Sequence, residues 1–102
     1  MEPRIDCQQD VIVMDLSFSE LHEKSIQNLS DFLNVEVDLG ITFARLAKHY
    51  LETGNSEHYE ISKRNALTAL EAIDHFKHRL PPNLRMKIET RRSELVEAIS
   101  LL

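Results

Sequence analysis

Cysteine, glycine, proline and tryptophan are scarce in this chain. Its 102 residues include one Cys, two Gly, three Pro and no Trp. The lone Cys7 excludes an internal disulfide, and its place near the terminus argues against a cysteine-based metal site. Walker, Rossmann and nucleophile-elbow patterns need closely spaced glycines, whereas Gly40 and Gly54 stand fourteen residues apart. HExxH, CxxC and EF-hand patterns are missing as well, and no Ser–His–Asp grouping can be read from the order of residues. None of the five histidines has the H-x-x-K-G context of a phosphotransfer bundle. The sequence therefore reads as non-enzymatic and without a cofactor. Positive charge is also in deficit: 12 Lys and Arg stand against 17 Asp and Glu, a net charge of −5, which argues against non-specific nucleic-acid binding. No apolar run approaches the roughly 18–20 residues of a membrane span. Met1–Glu2–Pro3–Arg4 does not read as the start of a signal peptide, so a cytoplasmic location is expected.

What is present is helical periodicity. A chain with 42% apolar residues and this length supports one domain. An all-β domain would need turn residues every ten positions or so, and they are missing. The expectation is an all-α, three- to four-helix antiparallel up-down bundle. Pro81 and Pro82 fit the first turn of a helix at about 82–101, with Leu84, Ile88, Leu95, Ile99 and Leu102 on one stripe and Arg91 at the intermediate turn. The preceding helix, about 56–80, is capped by Ser56 and ends where Leu80 precedes a proline. Ala66, Leu70, Ile73, Phe76 and Leu80 form its stripe.

Gly54 is placed to close an earlier helix in the left-handed conformation. That helix, about 35–53, carries Phe43, Leu46, Ala47 and Tyr50 on one face. Its start is ambiguous. Leu33, Val35, Val37, Leu39, Ile41 and Phe43 alternate as an edge strand would, while Phe32, Val35, Leu39, Phe43 and Leu46 keep helical spacing. Helix is favoured, because a strand would find almost no partner. Gly40 inside it costs about 1 kcal/mol relative to Ala, so loose first turns are expected. A further helix at about 18–33 would be capped by Ser17 or Ser19 and would carry Leu21, Ser25 and Leu29. Residues 1–16 read as a tail, although Val11, Ile12 and Val13 are too apolar to sit comfortably in water.

Two constellations invite chemistry. Glu71 and His75 share a helix face, as do Asp74 and His78, yet a di-iron bundle would need Glu-x-x-His on two helices. Histidines near a helix C-terminus are more simply read as dipole partners, and a metal-binding bundle stays a minor alternative. His49 and His58 flank the Gly54 turn and are expected to face solvent. Charge is uneven: residues 63–92 hold 8 Lys and Arg against 3 acids, while residues 1–51 hold 4 against 9. The basic stretch suits either an acidic peptide or a plain solvated face. It lacks interleaved aromatics, which disfavours single-stranded nucleic acid.

Phe43, Leu46, Ala47, Tyr50 and Gly54, at gaps of three, one, three and four, resemble the first helix of a tetratricopeptide repeat. The second half departs from that pattern, with bulky Tyr59 where a small residue is expected and Lys63 at an aromatic position; only Ala66 matches. The resemblance covers about residues 40–80 as one hairpin with no second copy. With the proline-started basic helix that follows, the chain is also similar to the three-helix microtubule-interacting-and-transport domain and to small bacterial tetratricopeptide-like proteins. These resemblances imply a protein–protein interaction module that holds a partner segment in a groove between helices. They place Arg45 and Lys48 in that groove and Glu52 at its edge, two cations one turn apart that could clamp an acidic peptide. The alternative is a structural homodimer or assembly subunit that spends its apolar stripe on self-association.

Overall fold

A computed structural model describes the backbone of residues 2–102 and the side chains of residues 22–102. Three α-helices follow one another: α1 (Glu2–Thr53), α2 (Ser56–Phe76) and α3 (Pro82–Ser100), with a single 3₁₀ turn (Lys77–Arg79) leading out of α2. No strand occurs among the described residues, and the chain is all-α.

Where two helices and a tail are expected before Gly54, the structure has one. α1 runs unbroken through the proposed tail, past Ser17 and Ser19, and across the boundary drawn at residue 34. Between Pro3 and Gly40 the chain contains neither Gly nor Pro, and serine alone does not stop a helix whose neighbours favour it. The strand-like alternation of 33–41 has a simple origin. Leu33 and Val37 point into the core, whereas Val35 and Leu39 point out, so two helical faces interleave in the sequence.

The turn after α1 is made as its glycine predicts. Gly54 has φ +80°, and nothing lies within 4 Å of the place a Cβ would take. The Asn55 N–H donates to the Tyr50 carbonyl at 2.9 Å and the Gly54 N–H to Leu51 at 3.4 Å, the paired closure of a Schellman motif. Asn55, not Ser56, caps α2, since its side-chain oxygen accepts the His58 N–H at 3.3 Å. α2 tightens to 3₁₀ geometry after Phe76 and Leu80 is extended (φ −83°, ψ 146°), as a residue before proline must be.

α2 therefore runs back along α1, and α3 returns beside both. Leu33, Val37, Ile73, Leu80, Ile88 and Leu95 are fully buried and form the core, with Ile26, Leu29, Leu70, Phe76, Leu84 and Ile99 packed around it. Nearer the Gly54 turn the residues shrink: Gly40, Ala44 and Ala47 of α1 and Ser62, Ala66 and Ala69 of α2 are all buried. Small side chains let two helix backbones approach closely. At Gly40 the crowding is greatest, because a Cβ there would lie 2.8 Å from Leu95 Cδ2 and 3.1 Å from the Ala69 Cβ. The glycine marks a close three-helix contact rather than loose turns. The radius of gyration is 19.6 Å, against about 13 Å for a compact chain of this size. The excess reflects the 52-residue α1, which is much longer than α2 (21 residues) and α3 (19 residues).

Candidate docking face on the first helix

α1 carries two apolar seams. The inward one is Leu33, Val37, Gly40, Ala44 and Ala47. Phe32, Val35, Leu39 and Leu46 form the other, which recurs at gaps of three, four and seven, with exposed Thr42 filling the last gap. At 100° per residue this second seam lies roughly 140° around the helix from the first. Its members are 42%, 53%, 45% and 39% exposed. Phe32, at one end, has the Phe76 ring of α2 edge-on beside it at 6.1 Å. The tetratricopeptide-like spacing counts Leu46 with Ala47 on one packing face, but the structure turns Leu46 outward and buries Ala44 in its place. Leu46 is adjacent in sequence to Ala47, so about 100° separates them on the helix.

The rims of this seam differ. Toward α2 lie Leu29, Glu36 and Phe43, all half-buried. Toward α3 lie Lys24, Asp31, Asp38, Arg45 and Glu52, each seven residues from the next and all exposed. Arg91 of α3 reaches this rim: its Nη1 donates to Asn34 Oδ1 at 2.9 Å and its Nη2 to Asp38. The sequence singles out Arg91 as a break in an apolar stripe, and here the reason is visible. Asp31 accepts a hydrogen bond from Gln27 of its own helix at 2.9 Å. Arg45, Lys48 and Glu52 are exposed together near the end of α1, and none forms an ion pair with another described residue.

The basic stretch is largely consumed inside the chain. Arg92 clasps Asp74 through Nε and Nη2, the latter at 3.1 Å, and Lys77 bridges Asp74 (3.3 Å) and Glu89 (3.0 Å), joining α2 to α3. The Arg92 hydrogen bond is the main reason the Asp74 carboxyl is held below its usual range; Lys77 adds to it, while partial burial opposes both. The same pairing raises Arg92. Arg79 lies over the Phe76 ring (5.2 Å), Lys63 over Tyr59 (5.6 Å), and Arg85 donates to the Leu80 carbonyl. Bulky Tyr59, where a repeat would have a small residue, is half-buried and its hydroxyl donates to the Leu102 carbonyl at 3.1 Å.

The Glu71, Asp74, His75 and His78 grouping does not come together as a ligand set: Asp74 is occupied by cations and His75 packs edge-on against Phe76 at 4.6 Å. Among the described residues no three His, Cys, Asp or Glu side chains are placed to share a metal ion. His49 and His58 are exposed as expected, and each ring packs beside Tyr50. No helix of the described residues is long and apolar enough to cross a membrane. Comparison with known proteins adds no relative: no family model, curated protein or solved structure matches the chain.

Proposed function

We propose that the protein is a non-enzymatic interaction module that docks another helix along the outer seam of α1, with Arg45 and Glu52 on the rim at one end of the contact and Lys48 turned to the far side of the helix. This keeps the helix-in-groove mode of recognition and puts the partner on the outer face of α1, because the α1–α2 junction is filled by its own small side chains. The observation that carries the reading is the run Phe32, Val35, Leu39 and Leu46, left partly in water on the side of α1 away from the core. An apolar stripe of this kind on a helix that already has a complete inward seam marks an association surface. The tetratricopeptide-like spacing supports the same reading as far as it describes a helix hairpin with a recognition helix first.

The test is the double variant Val35→Lys/Leu39→Lys, followed by circular dichroism melting at a concentration where the wild-type chain is monomeric. The expected midpoint is that of wild type, since exposed substitutions away from packed features shift stability by only about ±0.5 kcal/mol. Large destabilisation of the dilute monomer would place the seam in the intramolecular core and end the proposal.

A further inference from the structure

Resting on that reading, we infer that the helix docked on α1 is α1 of a second copy of this chain, lying antiparallel across a two-fold axis beside Asp38. The argument comes from the charges along the α3-side rim. In order they are Lys24, Asp31, Asp38, Arg45 and Glu52, all at one register position of a seven-residue repeat. Helices that pack at this spacing place such rim positions against each other and choose their orientation by charge. When two copies run antiparallel with Asp38 at the axis, Lys24 meets Glu52 of the other copy and Asp31 meets Arg45. By symmetry both contacts form twice. Asp38 meets its own counterpart, but each copy already carries Arg91 beside it. The same register sets Val35 against Leu39, Phe32 against Thr42, and Leu46 against Asn28. Along the opposite rim Leu29 meets Phe43.

A parallel pairing gains nothing comparable. It would put Asp31 against Glu36 of the other copy, acid on acid, with Asp38 facing Phe43 and Arg45 facing Tyr50. The antiparallel register leaves one uncompensated like-charge approach, Glu36 to its own counterpart near the axis. The pattern thus favours this chain as its own partner, because the cations and acids of one rim complement that rim turned end for end. In the sequence the three-and-four spacing also extends upstream through Val11, Met14, Phe18 and Leu21.

The test is sedimentation equilibrium on the full chain and three variants, with circular dichroism to confirm that each is folded. Wild type is expected to dimerise reversibly. Arg45→Glu alone and Asp31→Arg alone should each raise the dimer dissociation constant about tenfold or more, because two rim pairs turn repulsive at once. The combined Asp31→Arg/Arg45→Glu chain should recover most of the wild-type affinity, since the exchanged charges meet each other across the axis. A wild-type chain that stays monomeric to about 100 μM, near the weak limit for a useful self-contact, overturns the proposal. Docking of a different protein's helix on the seam would then still stand. A dimer whose double variant shows no recovery overturns the register.

Discussion

The two faces of α1 are built from the same kinds of residue and have opposite fates. Leu33 and Val37 are fully enclosed by α2 and α3, whereas Val35 and Leu39, two residues on in each case, remain about half in solvent. Local propensity cannot separate them, since all four belong to one continuous helix. What separates them is company: the inward face is enclosed with Ile73, Ile88 and Leu95, while the outward face stays 39–53% exposed, with the Phe76 ring edge-on beside Phe32 at one end. Apolar periodicity thus does not report which of two such faces the chain itself encloses.

The sharpest way to break the comparison is to truncate one residue on each side. Leu33→Ala should cost about 2–5 kcal/mol in chemical denaturation, while Leu39→Ala on the dilute monomer should change stability by under about 1 kcal/mol. Equal losses would mean that the two faces do not differ. Next in size is Gly40→Val. Replacing a helical glycine should gain a few tenths of a kcal/mol from propensity, but the branched side chain has to displace Leu95 and press on Ala69. A net loss of about 2 kcal/mol is expected in the same assay. A stabilised Gly40→Val protein would show that the three helices are not in close contact there.

The smallest effect belongs to the rim between α2 and α3. Asp74→Asn removes a partly exposed ionic contact and should cost at most about 1 kcal/mol. Because the Asp74 carboxyl is lowered in the folded state, its contribution is present above the ordinary carboxylate range near pH 4. It disappears as pH falls through the depressed folded value. Wild type should therefore lose its advantage over Asp74→Asn on acidification, and an advantage that persists in strong acid would assign it to something other than this charge.

Much of this architecture is legible in the residues alone. Gly54 and the Pro81–Pro82 pair announce their turns because each imposes a backbone conformation that few residues share. The stripes of α2 and α3 are legible because each of these helices has a single buried face. α1 is not, for the converse reason: with two apolar faces its pattern at 33–41 imitates a strand, and no glycine or proline punctuates it between Pro3 and Gly40. The outer seam could be spelled out as Phe32, Val35, Leu39 and Leu46, but only the packed structure shows that it looks away from the core. The rim residue Asp38 carries no sequence signal until Arg91, more than fifty positions away, is seen beside it.

The Gly54 turn also bears on the order in which the molecule assembles. It brings Tyr50 and Asn55 together across five residues, so the α1–α2 hairpin closes a very short loop, and its small-residue seam can form as soon as both helices exist. α3 finds Asn34 and Asp38 only across 57 and 53 residues of chain. Loop-closure entropy rises with that separation. The α1–α2 hairpin is accordingly expected to form before α3 docks on α1. Substitutions at Ala47 or Ala66 should therefore slow folding in a chevron experiment, while those at Ile88 should mainly speed unfolding.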